Sequence, residues 1–316
     1  MSVTVIIVNW NSADLLSTCL FHLANQTIKP KQILVIDNAS REDPSELAKK
    51  FPDVTVIRMK SNLGFAGANN VGLRLCNTEY VALLNPDAFP KPDWLEHLLE
   101  AAATHQNAAA FGSRQLCYER PEVLDGTGDS YNMSGRVRRE GYGMLAKPQD
   151  LVSREIFSPC AAAALYRRTA LLAIGGFDED YFCYVEDVDV GFRLRLAGYK
   201  ALYVPNAVVH HVGSASTGGR HSDFSVYHGH RNLVWTFIKN MPNVLFILLL
   251  PLHLLLNLIS IFRFMLRGQG RLILRAKLHA IRGLPEVWAK RRHVQRTRVA
   301  KICEIWSALD KRLIPW

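Results

Sequence analysis

Cysteine is scarce in this sequence, and the six that occur are scattered over 316 residues without a CxxC pair. Zinc-finger and redox motifs need paired spacing, so both are excluded. A basic leader with a cleavage site is also lacking, because the chain opens almost at once on the strand-like run VTVIIVNWN. We therefore expect no signal peptide and a reduced, cytosol-facing protein. Hydrophobic residues make up 49%, which excludes a disordered or collagen-like chain.

Acidic residues are nearly absent from the C-terminal part, which makes the net charge of +10 misleading. Residues 231–316 hold 16 Lys and Arg against three acids, whereas residues 1–230 hold 22 against 25. A nucleic-acid enzyme usually concentrates positive charge around its cleft, and here that part of the chain is slightly acidic. The asymmetry favours an anionic membrane surface as partner and no nucleic acid.

Short apolar runs alternate with amphipathic stretches over residues 1–225. This pattern predicts an α/β domain: a mostly parallel sheet with flanking helices, its ligand at the carboxyl ends of the strands. Residues 119–156, rich in glycine and charge, are expected to be a loop or mobile insertion. The predicted strands cover residues 3–8, 32–36, 54–58, 80–84, 108–113, 160–166 and 201–210. The predicted helices cover residues 12–25, 43–50, 65–76, 94–103 and 186–197.

A second module of hydrophobic and basic helices is expected over residues 226–316. Between Lys239 and Arg263 lie 23 residues without a formal charge. As a helix they would be roughly 34 Å long, enough to cross a hydrocarbon core of about 30 Å. Both flanks are basic, however, and Pro251 interrupts the apolar run. We expect a kinked, re-entrant or interfacial helix pair rather than a span, with a buried core helix least favoured.

Residues 271–282 alternate leucine and isoleucine with arginine at helical spacing, which predicts a basic amphipathic helix lying on anionic lipid. Each such cation near the surface contributes about 1 kcal/mol to membrane binding. The later KRRHVQRTR stretch is equally explained as a solvated face. We expect the protein at the cytoplasmic face of the inner (plasma) membrane, peripheral or re-entrant.

Polar clusters follow three of the predicted strands: NWN at 9–11, DNAS at 37–40 and NPDA at 85–88. Such residues commonly make turns, which is the better explanation for any one cluster alone. Three clusters on one sheet edge favour a binding site. The Asp87 carboxylate can hold Mg²⁺ or Mn²⁺ with positions left open for phosphate oxygens. Because one carboxylate is a weak site, a diphosphate must complete it.

Seven motifs across residues 3–217 resemble glycosyltransferase family 2: VTVIIVNWN, VIDNAS, NLGFAGANNVG, LLNPDA, GGFDEDYF, EDVDVGFRLRLAGY and VVHHVGSAS. Together they are far more specific than any single motif. They are similar to the rhamnosyltransferase-like branch, in which an NPD loop takes the place of DxD. The resemblance implies a GT-A Rossmann-like fold, a nucleotide diphosphate sugar donor, Mg²⁺ or Mn²⁺, and inversion at the anomeric carbon.

The resemblance also implies the donor site. Asp37 and Asn38 match positions that face the base and ribose, and the NLGFAGANN segment looks like the donor-binding loop, with helix N–H groups available to phosphate. Asn62 is also explained as a helix cap, and both roles can hold. The implied donor-binding residues are Asn9, Trp10, Asp37, Asn38, Asn62, Gly64, Phe65, Asn69, Asn85 and Asp87.

Glu186, Asp187 and Asp189 stand at the predicted start of a helix, where the macrodipole favours acids. The resemblance implies that Asp187 is the general base for the acceptor hydroxyl. Glu186 is expected to orient the acceptor or support the base. Asp189 is expected to face elsewhere, as a cap or a surface acid.

His210 and His211 follow a strand and should point to opposite faces. One of them can complete the Asp87 metal site, and we favour His211, although a lone histidine is more often structural. The GGFDEDYF segment matches a loop near the acceptor, and a plain Gly-Gly turn explains it equally well. Its implied acceptor-binding residues are Gly176, Phe177 and Asp178.

The expected activity is inverting, metal-dependent transfer of a sugar to a hydroxyl of a lipid-linked or polysaccharide acceptor in cell-envelope glycan synthesis. The first expected donor is dTDP-L-rhamnose, with UDP-sugars behind it. Two alternatives stay open. A polyprenyl-phosphate sugar synthase transfers to phosphate and needs no general base. A non-catalytic nucleotide-sugar-binding scaffold needs neither Asp87 nor Asp187.

Overall fold

The structure is a computed structural model that describes residues 1–213 and 222–312. The end of the VVHHVGSAS motif, residues 214–216, lies outside the described residues. The strands are β1 (Val3–Asn9), β2 (Gln32–Asp37), β3 (Val54–Arg58), β4 (Tyr80–Leu84), β5 (Ala88–Pro90), β6 (Ala108–Cys117), β7 (Leu124–Gly126), β8 (Asp129–Tyr131), β9 (Val137–Arg139), β10 (Arg154–Ile156), β11 (Ala163–Arg167) and β12 (Lys200–His211).

Ten of these strands form one sheet with a parallel half and a mixed half. Its order is β10-β12-β6-β11-β4-β1-β2-β3, with β5 paired to β12 and β7 to β6. The four strands β4, β1, β2 and β3 are parallel, whereas β11 runs antiparallel to both its neighbours. The predicted α/β class with a mostly parallel central sheet is confirmed, and the antiparallel pairings are confined to the half that begins at β11.

Helices cover both faces of the sheet because alternate strand residues point to opposite sides. In β1, Val5 and Ile7 pack with Leu16, while Ile6 packs with Leu73 in the other layer. The helices are α1 (Ala13–Ala24), α2 (Ser45–Ala48), α3 (Gly64–Leu75), α4 (Trp94–Thr104), α5 (Arg168–Ala173), α6 (Glu186–Leu196), α7 (Asp223–Asn240), α8 (Asn243–Leu266), α9 (Gly270–Arg282), α10 (Leu284–Arg296) and α11 (Ile302–Ala308).

The expectation that residues 119–156 form a loop or mobile insertion is wrong. They contain β7, β8, β9, β10 and a 3₁₀ turn at Pro148–Leu151, and two of these strands extend the main sheet. The glycines in this segment allow close packing, since a Cβ on Gly126 would lie 2.6 Å from Arg139 and one on Gly128 2.7 Å from Ile156. In this segment the glycines therefore belong to closely packed strands and not to a mobile loop.

The uncharged C-terminal stretch forms one continuous helix, α8, so the expected helix pair is wrong. Pro251 lies inside this helix and on its exposed side, where the carbonyl four residues earlier can meet solvent or headgroups. Of the described residues, this is the one helix long and apolar enough to cross a membrane, and 28% of its most apolar window is buried.

The C-terminal helices share a hydrophobic core with α6. Phe237 and Leu245, from α7 and α8, pack in one cluster with Val188 and Phe192 of α6. The division into residues 1–225 and 226–316 stays a prediction, but the two parts are in extensive contact.

Candidate active site

A cavity of about 740 Å³ opens at the carboxyl ends of the parallel strands, where the sequence predicts the ligand. One half of its wall is built by the ends of β1, β2 and β4 and by the start of α3. The other half is built by β8, β9, the start of α6, the end of β12 and the first turn of α7. Asp87 and Asp187, a hundred residues apart in the chain, both line it.

The cavity gathers most of the sequence-predicted residues but not all of them. Those that line it are Trp10, Asn38, Asn62, Gly64, Phe65, Asn85, Asp87, Glu186, Asp187 and His211. Those that do not line it are Asn9, Asp37, Asn69, Gly176, Phe177, Asp178 and His210. The functional roles of both groups stay predictions.

Asn9 and Asp37 stand directly behind the cavity wall. They are register partners on β1 and β2, and the Asn9 Nδ2 donates to Asp37 Oδ1 at 3.0 Å. Both side chains are buried. In this position they fix the ends of the two strands and hence the placement of Asn38.

Asn38 ties the predicted donor loop to the sheet. Its Nδ2 donates to Asn62 Oδ1 at 2.8 Å and to the Gly64 carbonyl at 3.1 Å, and its Oδ1 accepts from the Leu63 N–H. Asn62 Oδ1 also accepts from the Gly64 N–H at 2.8 Å, as expected of a cap. Asn69 donates to the Phe65 carbonyl within α3. Amide side chains thus fix the conformation of this loop.

Asp87 and His211 meet at the floor of the cavity. The His211 Nε2 lies 3.3 Å from Asp87 Oδ1, and its Nδ1 lies 2.9 Å from Asp125 Oδ2. Burial disfavours the charged imidazole, but the two carboxylates outweigh it and raise the pKa of His211 to about 9.

These residues fit a divalent cation. A carboxylate oxygen and an imidazole nitrogen face each other, and a second carboxylate orients the ring through its other nitrogen, as around protein-bound metals. Among the described residues, no group of three or more His, Cys, Asp or Glu side chains could hold a metal ion, so Asp87 and His211 alone are an incomplete set of ligands. His210 lies outside the cavity, where burial lowers its pKa.

Glu186 and Asp187 open α6 with different environments. Asp187 Oδ2 accepts from the Ala161 N–H at 3.1 Å and its Oδ1 from the Val188 N–H at 2.8 Å. Glu186 is 6% exposed, and its Oε2 has no hydrogen-bond partner among the described residues. Burial, followed by the charge of Asp187, raises the pKa of Glu186 well above its usual range. Two neighbouring carboxyl groups with such different surroundings are typical of active sites in which the two groups have different catalytic roles.

The expectation that Asp189 is a cap or surface acid is wrong. It is fully buried and pairs with Arg193 Nε at 2.7 Å and Lys239 Nζ at 2.8 Å. Lys239 also contacts Asp178 Oδ2 at 2.5 Å. Sequence reasoning about one helix missed this, because the partner lysine comes from α7.

Of the GGFDEDYF segment, Gly176, Phe177 and Asp178 lie beside the cavity, whereas Phe182 at its end lines it. Phe177 is buried in the core, and its N–H donates to Asn70 Oδ1 at 2.9 Å. A Cβ on Gly176 would lie 2.6 Å from that same oxygen. Asp178 is engaged with Lys239 and Lys290. These contacts fix the approach to α6, and an acceptor role for the segment stays a prediction.

Three charged residues of the glycine-rich segment belong to the site but were not among the residues predicted from the sequence. Asp129 and Arg139 line the cavity, and Asp125 orients His211. Arg139 Nε lies 3.4 Å from Asp129 Oδ1, and its Nη1 3.5 Å from Asp125 Oδ2. The one available signal was the DGTGD run, in which acids alternate with glycine as in tight strand pairs.

Two solved structures share this fold. TarS 1-349 of S. aureus in complex with UDP-GlcNAc matches with a TM-score of 0.60 and 16% identity, covering 94% of this chain and 88% of that one. The mannosyltransferase PcManGT from Pyrobaculum calidifontis, in complex with GDP-Man and Mn2+, matches with 0.56 and 19%, covering 97% and 85%. The architecture is therefore the GT-A-like fold of nucleotide-sugar glycosyltransferases.

The chain belongs to glycosyl transferase family 2, whose profile matches residues 4–175, more than half of the sequence. The N-acetylglucosaminyl-diphospho-decaprenol L-rhamnosyltransferase of Mycobacterium tuberculosis (strain CDC 1551 / Oshkosh) is 30% identical over 244 residues, covering 68% of this chain and 77% of that protein. The O-antigen chain rhamnosyltransferase WbaN of Salmonella anatum is 27% identical, covering 66% of each. The predicted rhamnosyltransferase-like glycosyltransferase is confirmed.

Proposed function

We propose that the protein transfers L-rhamnose from dTDP-L-rhamnose to a hydroxyl of a lipid-linked glycan during cell-envelope synthesis, with Mg²⁺ or Mn²⁺ and with inversion. UDP-sugars are the second choice of donor. The observation that carries the proposal is the shared cavity of Asp87 and Asp187, with the donor loop between them. The similarity to enzymes named for rhamnose transfer supports the donor, and the decaprenol-linked substrate in one of those names supports a lipid-linked acceptor.

In the proposed mechanism, Asp187 takes the proton of the acceptor hydroxyl, and the hydroxyl oxygen bonds to the anomeric carbon. The bond from that carbon to the diphosphate breaks, and the diphosphate leaves with the electron pair. Asp87 and His211 would hold the cation, which neutralises charge on the leaving group when bound. Glu186 would help to orient the acceptor; burial and the Asp187 charge raise its pKa, which disfavours its charged form beside the base.

A panel of nucleotide sugars tests the proposal. We expect turnover of dTDP-L-rhamnose to exceed that of UDP-glucose and UDP-N-acetylglucosamine, and to stop when EDTA removes the cation. Released dTDP and glycosylated lipid acceptor are the quantities to measure, with Mg²⁺ and Mn²⁺ supplied in turn. Undiminished turnover in EDTA would contradict the metal site. Binding of donors without any turnover would favour the scaffold alternative, and transfer only to polyprenyl phosphate the synthase alternative.

We also propose that α8 lies in the membrane surface and does not cross it. Residues spaced along its whole length pack against the protein, from Leu245 to Phe264, and the buried His253 Nδ1 bonds the Ser134 carbonyl at 2.8 Å. A crossing would carry these partners into lipid. The opposite face is apolar and uncharged along the same length: Val244, Ile247, Leu248, Leu254, Leu255, Leu258, Phe262, Met265 and Leu266 are more than half exposed.

The neighbouring helix α9 completes this surface with positive charge. On its inner face, Ile273, Ala276 and Ala280 are buried against the protein. Its outer face mixes apolar side chains with arginines, an arrangement that suits the boundary between headgroups and acyl chains. The exposed outer residues are Arg271, Leu274, Arg275, Leu278, Ile281 and Arg282.

Vesicle flotation checks the membrane surface. We expect wild-type protein to float with vesicles containing phosphatidylglycerol, and Arg271→Gln with Arg275→Gln to weaken binding about 30-fold, since each cation contributes about 1 kcal/mol. Leu254→Glu with Leu258→Glu should abolish binding by placing charge on the apolar face. Leu75→Glu, at an equally exposed leucine of α3, is the matched control and should bind normally. Equal flotation of all variants would refute the surface.

A further inference from the structure

One wall of the cavity is a segment with unusual backbone geometry, residues 182–185, which all line the cavity. Phe182, Tyr184 and Val185 have φ values of 62°, 70° and 69°. Side chains other than glycine rarely adopt this region, and such geometry persists only where surrounding contacts enforce it. The contacts that enforce it therefore identify what shapes this wall.

Asn232 of α7 supplies the central contact. It is fully buried, and its Nδ2 lies 2.9 Å from the Tyr181 carbonyl, 3.0 Å from that of Cys183 and 2.8 Å from that of Tyr184. Its Oδ1 accepts from Arg231 Nε at 2.9 Å, which orients the amide so that its N–H groups face the segment. The amide of one side chain thus contacts three backbone carbonyls within four residues.

The same face of α7 follows the segment at helical spacing. The Phe224 ring lies 6.2 Å from Phe182 and 6.0 Å from Tyr184, and the His228 ring stacks on Phe182 at 5.3 Å. Phe224, His228 and Asn232 follow one another at intervals of four residues, so they share one face of the helix. Phe224 itself lines the cavity. The wall is therefore made jointly by the segment and by α7.

The segment also joins the two halves of the site. A Cβ on Gly64 of the donor loop would lie 2.3 Å from the Phe182 carbonyl oxygen, and that oxygen accepts from the Ala66 N–H at 3.2 Å. At its other end, Val185 immediately precedes α6, and its carbonyl accepts from the Asp189 N–H. A displacement of the segment would move the donor loop and the catalytic carboxylates relative to each other.

We propose that Asn232 is a positioning residue that holds residues 182–185 so that Phe182, Tyr184 and Phe224 form a stacking wall for the acceptor sugar beside Asp187. Aromatic rings offer a flat apolar surface that suits the carbon-bound hydrogens of a pyranose ring, while Glu186 and Asp187 offer polar groups to its hydroxyls. We call the contacts of Asn232 with residues 181–184 the clamp. The assignment of a sugar acceptor rests on the proposed function, whereas the clamp does not.

Hydrogen–deuterium exchange tests the clamp without any substrate. In Asn232→Ala, amide exchange in peptides spanning residues 178–186 should accelerate at least about tenfold, because three hydrogen bonds are lost. The matched control is Asn132→Ala: that asparagine is also buried, and its Nδ2 donates to the Asp310 and Arg312 carbonyls, both at 2.9 Å, away from the cavity. It should leave exchange in 178–186 unchanged. Unaltered exchange in Asn232→Ala overturns the clamp.

Transfer kinetics test the positioning role, with dTDP-L-rhamnose as donor and synthetic farnesyl-diphospho-N-acetylglucosamine as acceptor. Asn232→Ala should lower kcat/KM for the acceptor on the order of 30- to 100-fold, with dTDP affinity nearly unchanged. Asn232→Asp should lose at least as much, because a carboxylate repels the three carbonyls although its shape is conserved. Wild-type transfer by Asn232→Asp, or losses that match Asn132→Ala, would overturn the inference. Absence of wild-type transfer would refute the proposed function and leave the exchange result to judge the clamp.

Discussion

Asparagine in place of Asp187 is expected to lower sugar transfer by about 10³-fold while leaving donor affinity nearly unchanged, because only the proton acceptor is lost. Asp187 lines the cavity, and its carboxylate is oriented by the Ala161 and Val188 N–H groups. Steady-state kinetics with dTDP-L-rhamnose and calorimetric titration of dTDP give the two quantities.

The adjacent carboxyl group supplies a matched control for this experiment. Burial and the Asp187 charge raise the pKa of Glu186, which disfavours its carboxylate as the base, and Glu186→Gln keeps the size of the side chain without a charge. We expect that variant to retain transfer within about tenfold of wild type. A larger loss in Glu186→Gln than in Asp187→Asn would assign the base to Glu186, and collapse of dTDP binding in Asp187→Asn would place Asp187 in the donor site.

Methionine in place of Lys239 is expected to destabilise the fold by about 3–5 kcal/mol, because it leaves two carboxylates buried without their shared cation. Lys239 is 2% exposed and contacts both Asp178 and Asp189. Urea unfolding followed by tryptophan fluorescence measures the change. The control is Lys277→Met: that lysine is also buried, its Nζ donates to the His230 carbonyl, and it forms no ion pair among the described residues. Equal stability of the two variants would contradict the prediction.

The same ion pairs fix the pH dependence of this difference. Although burial opposes it, Lys239 with Lys290 lowers the pKa of Asp178, and Arg193 with Lys239 lowers that of Asp189. Carboxylates with lowered folded pKa values contribute stability above their unfolded pKa of about 4 and lose it as pH falls below. The gap between wild type and Lys239→Met should therefore be constant from pH 5 to 8 and narrow in stronger acid.

This network also decides how membrane binding can be tested. Truncation near residue 225 would remove Lys239 and the α7 and α8 side chains that pack on α6, so loss of membrane binding would be confounded with unfolding. Substitutions on the exposed faces of α8 and α9 avoid this problem, because those side chains support no core.

The sequence predicted the parallel half of the fold and its ligand edge well, since these depend on local patterns. Continuous apolar runs such as β1 and β4 form buried strands, and Asn38 and Asp87 follow their strands where the chain must turn. The placement of Asp87 and Asp187 in one cavity follows from strand order, which the motif series implied.

What the sequence could not predict depends on long-range pairing. The DGTGD segment resembles a loop because its strands are three residues long and pair with β6 and β9. Asp125 becomes an orienting group only when β12 brings His211 to it, 86 residues later. Asp189 looked like a surface acid because its lysine lies on another helix. The contacts with His211 and with Lys239 join elements distant in the chain, and no local period encodes them.

Helix α7 contacts α8 and α9 on one side, where Val226 packs with Phe264 and Ile273, and the 182–185 segment on the other. With α8 and α9 in the membrane surface, as proposed, α7 would set the distance between the acceptor hydroxyl and the lipid. We expect the enzyme to act as a ruler, glycosylating the sugar nearest the diphosphate and passing over residues added further out along the growing glycan.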